Sequence, residues 1–479
     1  METIQCEVAV IGAGTAGLSA YRAARNAGKH AILIEDGPHG TTCARVGCMP
    51  SKLLIAAAEA AHAVREAGGF GVKAAAPQID GEAVMARVRS ERDRFVGFVL
   101  ENVAAMPAAD KLHGHARFTA PNRLQIGANL EVAAQAVVIA TGSSPEIPAE
   151  WAAAGPRVIT SDAVFDWTTL PRAVAVIGAG VIGLELGQAL HRLGVRVAVI
   201  ARSNGLAQLK DPQVLAAASA ALGGELDLRF RTEVAAIVRA GEGLELRTRG
   251  ADGAERVEQY DYVLVATGRT PNLRGLGLEH AGLALGRHGV PKFDRHTMQC
   301  GDSSIFIAGD ASADIPVLPE AADQGRIAGA NAAAFPAVQP GLRRTALAIT
   351  FSEPQIATLG AGYKELANRR EHFAIGAVSF DDQGRSRVMR QNKGLLRVYG
   401  EYGSGRFLGA EMVGPRAEHI GHLLAWAHQA QLTVAQMLEM PFYHPVIEEG
   451  VRTALRDLAQ RLQEPPPPPK PVPDCTPGC

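Results

Sequence analysis

"CEVAVIGAGTAGLSAYRAARNAGKHAILIED" (residues 6–36) and "RAVAVIGAGVIGLELGQALHRLGVRVAVIAR" (residues 172–202) are one plan written twice. Each opens on an apolar run of strand length, turns through G-x-G-x-x-G, continues as an amphipathic helix and closes on a second apolar run. Gly12, Gly14, Gly17 and Gly178, Gly180, Gly183 meet three needs: a tight turn, close approach of backbone to a pyrophosphate, and close packing of helix on strand. The helix start then offers its positive end to the phosphates. One such loop alone is weak evidence. Two, each in full strand–helix–strand context, predict two doubly wound domains that each bind a dinucleotide.

Working outward, each copy is followed by an apolar run ending in Ala-Thr-Gly: "AVVIATGSSP" (136–145, with Thr141 and Gly142) and "YVLVATGRTPN" (262–272, with Gly268). A strand that stops at Thr-Gly leaves bare backbone beside whatever the fingerprint binds. "SIFIAGDAS" (304–312) puts Asp310 at the end of another short apolar run. The second domain is thus inserted into the first. After residue 342, short runs such as "EHFAIGAVSF" and "RFLGAEMVG" predict an antiparallel sheet, and "AEHIGHLLAWAHQAQ" and "TVAQMLEM" predict helices. The expected class is α/β: two Rossmann-like domains plus a C-terminal α+β domain. The boundaries fall at 1–147, 148–270, 271–341 and 342–464, with a Pro-rich tail over 465–479.

Composition narrows the function. Of 479 residues 47% are hydrophobic and 20% charged, with a formal net charge of −1, so nothing favours a nucleic-acid partner. The start carries acids rather than a basic n-region, and no apolar stretch approaches the roughly 20 residues of a membrane span. A cytoplasmic, non-membrane protein is expected. In a reducing compartment a close cysteine pair is more often catalytic or metal-binding than structural. Such a pair occurs in "GTTCARVGCMPSK" (40–52), where a metal clip, a structural disulfide and a reversible redox pair compete. Zinc needs two more ligands, and His39 is the only local candidate, so no metal is expected. Pro50 suits the first turn of a helix, which places Cys48 near a positive helix end that lowers a thiol pKa. Lys52 adds charge one turn on.

The order of motifs completes the reading. With "FSEPQIATLG" and "HPVIEE" closing the series, the chain from residue 5 to about 462 resembles the class I pyridine nucleotide-disulfide oxidoreductases. "PSK" after the second cysteine is most similar to dihydrolipoamide dehydrogenase; glutathione reductase and mercuric reductase are also similar. The resemblance implies FAD, NADPH or NADH, and a C-terminal dimerisation domain. It implies that Cys43 and Cys48 alternate between disulfide and dithiol, Cys43 as the interchange thiol and Cys48 as the thiolate in charge transfer with FAD. Lys52 then lies near the flavin, paired with Glu185. Glu35 holds the adenosine ribose, Asp310 the ribityl or pyrophosphate region, and Thr42 contacts the cofactor. His444 and Glu449 match the base and its orienting carboxylate, arriving from the other subunit of a homodimer with shared sites. Cys6 and Cys300 are left as structural thiols.

Three questions remain open to the sequence. The implied substrate is a small or carrier-bound disulfide. Arg22 and Arg326 fall where glutathione reductases hold a substrate carboxylate, which makes a glutathione-like substrate the alternative; a mercuric reductase is set aside because "HPVIEE" belongs to the disulfide branch. A flavin oxidase or quinone reductase that ignores the cysteines is the alternative from another class. For the nicotinamide cofactor the repeat is a ruler: the position of Glu35 is occupied in the second copy by Ala201, followed by Arg202. Losing the acid and gaining an Arg favours a 2′-phosphate, hence NADPH. The tail "EPPPPPKPVPDCTPGC" ends in Cys475 and Cys479. Its residues 465–474 span roughly 30 Å as polyproline, so the two thiols are expected to serve a bulky or protein disulfide, or a soft metal ion.

Overall fold

The computed structural model describes residues 2–369 and 372–464. Two compact units make up the chain. The first holds the chain up to Asn204 together with Leu226–Arg344; the second holds Gly205–Glu225 together with the chain from Thr345 onward.

In the first unit, the apolar run ahead of Gly12 is the strand Glu2–Ile11, inside a seven-stranded sheet. Ala31–Glu35 lies parallel on one side, with Ile34 opposite Ile11, and Leu130–Ile139 lies parallel on the other, with Ile139 opposite Ile11. Ile305–Ile307 continues the parallel set beside Leu130–Ile139. Both faces of this sheet are covered, which is why its strands read as continuous apolar runs rather than alternating ones. Val8, Val10 and Leu33 bury into one core, Ala9, Ile11 and Ile32 into another.

Helices Thr15–Asn26 and Leu318–Ala334 meet through small residues. A Cβ on Gly325 would stand 2.1 Å from the Ala16 carbonyl oxygen, and one on Gly329 would stand 2.2 Å from that of Ala20. The contact is backbone against backbone, which only glycine allows.

The second copy repeats the plan. Ala173–Ile177 runs parallel to Arg196–Ile200 and to Tyr262–Val265, with Ile177 opposite Ile200 and Val265. In sequence it lies between the Leu130–Ile139 and Ile305–Ile307 strands of the first sheet, and the architecture is the α/β class expected.

The second unit is built on an antiparallel sheet in the order Leu347–Thr350, Gln355–Gly360, Phe407–Gly414, Leu395–Glu401, Phe373–Ser379. Helix Glu449–Leu462 lies tight on the last strand, since a Cβ on Gly376 would stand 2.2 Å from the Ala454 carbonyl oxygen. Helix Pro212–Gly223 belongs to this unit as well. Asp211, fully buried, caps it by accepting from the Gln213 and Val214 N–H groups. The Arg397 guanidinium donates to the same carboxylate at 2.7 Å and the Tyr399 hydroxyl at 3.0 Å. Buried charge persists only when paired and hydrogen-bonded in this way. Cys475 and Cys479 lie outside the described residues.

Candidate active site

The two fingerprints fold alike. A Cβ on Gly12 would stand 2.4 Å from the Ala140 carbonyl oxygen, and one on Gly178 the same 2.4 Å from that of Ala266. Each turn is therefore pressed against the strand that ends in Ala-Thr-Gly. Gly17 and Gly183 approach the carbonyls of Gly12 and Gly178 even more closely. Gly14 and Gly180 differ: an added Cβ there meets nothing within 4 Å. A loop closed at its outer glycines and open at the middle one fits a pyrophosphate lying over bare backbone. Both copies fit a dinucleotide on this test.

Around the first copy, Glu35 ends its strand with its carboxylate accepting from Ala13 N–H at 2.6 Å and Gly37 N–H at 2.8 Å. Thr141 keeps a buried hydroxyl oxygen that has no hydrogen-bond partner among the described residues, and Gly142 takes a φ of 70°. Asp310 accepts from the Ser143 hydroxyl at 2.7 Å, which in turn accepts from Arg269 Nε at 2.9 Å. Sequence reasoning missed Ser143 and Arg269. Both sit inside the Ala-Thr-Gly motifs already singled out, and their antiparallel pairing, Arg269 opposite Pro145, brings them together. Gly268, with φ 148°, helps line a cavity of about 780 Å³ between these segments, with Glu146, Thr267 and Arg274.

The cysteine segment folds as two helices with a sharp joint. Thr41 caps Thr42–Val46 by accepting from Ala44 N–H at 3.3 Å, and Gly47 joins it to Cys48–Glu66. A Cβ on Gly47 would stand 3.0 Å from the Thr42 carbonyl oxygen, so the fold-back there is tight. Cys48 begins the long helix and is exposed; Cys43 is half-buried, and Thr42 beside it is exposed.

In this reduced pair the Cys43 thiol is hydrogen-bonded to Cys48, and the two sulfurs are driven apart in acidity. That hydrogen bond pulls the Cys48 thiol down to about 7, with help from Lys52 and a backbone N–H and against the desolvation of its sulfur, which is crowded although the residue's surface is exposed. Cys43 moves up, through the same hydrogen bond and through burial. Of the two sulfurs, Cys48 is the one favoured to carry negative charge. Lys52 Nζ lies 2.7 Å from the Glu185 carboxylate, itself almost fully buried on helix Val181–Arg192. The Lys52–Glu185 pair thus ties the cysteine helix to the fingerprint helix of the second copy.

In the second unit, His444 Nδ1 lies 3.1 Å from both Glu449 carboxylate oxygens. That hydrogen bond holds the Glu449 carboxyl below the usual carboxylate range. The imidazole is largely open to solvent, and its other nitrogen points away from the acid that orients it. Of the remaining expected residues, Arg22 and Arg326 are exposed on the two helices that meet through Gly325, and Arg202 is exposed just past Arg196–Ile200. Cys6 and Cys300 are buried, and burial pushes both thiols up to about 12. Among the described residues there is no cluster of metal-ligating side chains and no helix long and apolar enough to cross a membrane.

A flavin-and-thiol oxidoreductase is the class that this fold and geometry define, and comparison with known proteins agrees. Residues 6–333 match the family described as pyridine nucleotide-disulphide oxidoreductase, and residues 347–455 match its dimerisation domain. A mercuric reductase of Streptomyces lividans is 32% identical over 92% of this chain and 93% of its own length. Dihydrolipoyl dehydrogenase 3 of Pseudomonas aeruginosa is 30% identical over 96% and 99%. Among solved structures, LpdA from Mycobacterium tuberculosis superposes with a TM-score of 0.81 at 25% identity, covering 94% of this chain and 99% of that one. The HOCl-induced flavoprotein disulfide reductase RclA from Escherichia coli, as its Cu(II) complex, shares the fold at 20% identity, with a TM-score of 0.80 over 96% and 99%. The chain belongs to the pyridine nucleotide-disulphide oxidoreductase family. It is a flavoprotein disulfide oxidoreductase of the kind that binds FAD and takes electrons from NAD(P)H. Members of this family form homodimers through the matched C-terminal domain.

Proposed function

We propose that this chain is an NADPH-dependent disulfide reductase acting on a small or carrier-bound disulfide, with Cys43 and Cys48 as the exchanging thiols. FAD, when bound, supplies the two-electron link between the nicotinamide and the cysteine pair. The Cys43 sulfur, once deprotonated, attacks one substrate sulfur, forms a mixed disulfide and expels the first thiolate. Cys48 then attacks Cys43, reforming their disulfide and expelling the second. Two electrons leave the dithiol; one of the two protons on the product thiols comes from Cys43, and the other comes from solvent, which had taken the Cys48 proton when that thiol ionised. His444, oriented by Glu449, takes the proton from Cys43 and returns it to a leaving thiolate, as an acid-oriented imidazole does. We assign this pair to the partner subunit's site, so that a homodimer carries two composite sites. Lys52 and Glu185 hold the charge balance beside Cys48.

The observation that carries this reading is geometric: Cys43 and Cys48 lie on two helices joined by the tight fold-back at Gly47, with the Lys52–Glu185 ion pair one turn along the Cys48 helix, on the side where Cys48 is the more acidic sulfur. The test is steady-state turnover of the purified holoenzyme with lipoamide, glutathione disulfide and a thioredoxin. Activity on at least one, lost in Cys48→Ser, supports it. NADPH oxidation that is undiminished in Cys48→Ser would mean a flavin oxidase or quinone reductase instead.

A second reading is favoured by the 32% identity to a mercuric reductase: reduction of Hg(II) to Hg(0) by NADPH, which needs soft thiolates but no base to reprotonate a leaving thiol. The His444–Glu449 contact keeps disulfide reduction first. If His444→Ala abolished disulfide turnover yet spared Hg(II) reduction, the two activities would be separated. For substrate choice, Arg22 and Arg326 are assigned to a carboxylate-bearing disulfide only if their replacement raises KM for glutathione disulfide selectively.

A further inference from the structure

We propose that Arg231 is a second anchor for the 2′-phosphate of NADPH, working beside Arg202; this inference rests on the NADPH preference proposed above. No second arginine follows Arg202 before helix Pro212–Gly223, and the neighbouring strand supplies one. Asp227–Arg229 runs parallel to Arg196–Ile200, with Arg229 opposite Ile200. Beyond that register the backbone of Ala201 is clasped on both sides: its N–H donates to the Arg229 carbonyl at 2.9 Å, and its carbonyl accepts from Thr232 N–H at 3.0 Å. Arg231 therefore leaves the chain beside the residue that stands where the first copy has Glu35.

Three observations point Arg231 at an anion. Its Nε donates to the Asn204 Oδ1 at 3.0 Å, and Asn204 lies two residues after Arg202, so Arg231 is tied to the loop that carries Arg202. That bond orients the fork and leaves its terminal nitrogens for phosphate oxygens, the geometry in which arginine outperforms lysine. Next, its charge is uncompensated: among the described residues its hydrogen-bond partner is a neutral amide. Arg229, two residues earlier, is instead bound to Asp227 and Glu258 and has no such capacity to spare. Finally, Arg231 is exposed and held at φ 49°, a left-handed conformation that glycine and asparagine adopt readily and arginine rarely. The first copy shows the contrast. There the Glu35 carbonyl accepts from Gly114 N–H, as Ala201 does from Thr232, and the strand end carries a carboxylate instead of two guanidinium groups.

The test compares two probes that differ only in the 2′-phosphate, adenosine 2′,5′-bisphosphate and adenosine 5′-monophosphate, binding to the FAD-loaded enzyme by calorimetry. Arg231→Gly is the main variant, since glycine suits the backbone angle; Arg231→Lys keeps charge but loses the fork. Arg231→Gly is expected to weaken bisphosphate binding about 10-fold, the scale of one charge-assisted contact, with monophosphate binding unchanged. In turnover, KM for NADPH should rise by a similar factor while kinetics with NADH hold. Arg231→Lys should fall between. If Arg202→Ala weakens bisphosphate binding but Arg231→Gly does not, the second anchor is refuted and the NADPH reading survives. If wild-type enzyme binds both probes equally, the NADPH reading fails and this inference fails with it.

Discussion

Replacing Lys52 with methionine probes the electrostatics of the thiol pair most sharply. Lys52 Nζ sits 2.7 Å from a Glu185 carboxylate that is almost fully buried, while the lysine itself is about one-third exposed. Removing the ammonium takes its 2.7 Å contact from that buried carboxylate; losing one partner of a buried pair costs at most about 3–5 kcal/mol, and the exposure of the lysine brings the expected loss to about 1–2 kcal/mol. The same change acts on Cys48, whose thiol stands at about 7 instead of its ordinary 9.0. Lys52 helps to lower it and Glu185 opposes, so the variant loses the helper and keeps the opponent. The Cys48 pKa must rise, between the present value and the ordinary one, because the Cys43 hydrogen bond, the leading cause, is retained. A thiol at its ordinary 9.0 is ionised to only about one part in a hundred at neutral pH, so any rise toward that value removes thiolate. The assay is a pH titration of the two-electron-reduced holoenzyme, following the long-wavelength absorbance of a thiolate against flavin. The native midpoint should lie near 7 and the Lys52→Met midpoint clearly above it, with a lowered Tm. Adding Glu185→Gln should recover much of both. A Lys52→Met midpoint equal to the native one, or lower, refutes the reasoning.

Other expectations follow from packing and from the proposed sharing of sites. Mixing Cys43→Ala with His444→Ala subunits should restore one good site per heterodimer; subunit exchange without recovered turnover would exclude composite sites. Gly325→Ala gains about 1 kcal/mol of helix propensity but places a Cβ 2.1 Å from the Ala16 oxygen, and overpacking of about 1–3 kcal/mol or more should win, lowering Tm. Gly97→Ala, in helix Gly81–Ala104 with nothing within 4 Å of its added Cβ, should instead raise Tm slightly. Deleting residues 465–479 should spare small disulfides and slow a protein disulfide or a soft metal ion, and equal rates on all acceptors would leave the tail without that role.

What the sequence made legible was local. Each fingerprint lies within one strand–turn–helix, so glycine spacing alone announced it, and the apolar runs of strands buried on both faces needed no partner to be recognised. The cysteine pair, its helix start and Lys52 are equally close in sequence. Long-range pairings left no such trace. Asp211 and Arg397 show no periodicity that would join them, and nothing in "PQVLAAASAALG" marks it as part of the C-terminal unit. Ser143 and Arg269 were missed because the short antiparallel pairing that unites them is set by tertiary packing. Arg231 was missed for a related reason: it comes to the end of the Arg196–Ile200 strand through a neighbouring strand, whereas the ruler of the repeat measures only along the chain. His444 and Glu449 were picked out by resemblance, and their contact is a local one across a short turn into a helix.

The central claim, that Cys43 and Cys48 form a redox-active disulfide in electronic contact with the flavin, is tested most directly by counting electrons. Oxidised holoenzyme is titrated anaerobically with dithionite, and the equivalents consumed per FAD are compared with those for Cys48→Ser. A disulfide takes up one electron pair, whatever else the chain can store. The native enzyme should therefore consume one two-electron equivalent more than the variant, and should then present Cys43 and Cys48 as two newly alkylatable thiols. Equal consumption by the two proteins, with the flavin reduced in both, would contradict the account.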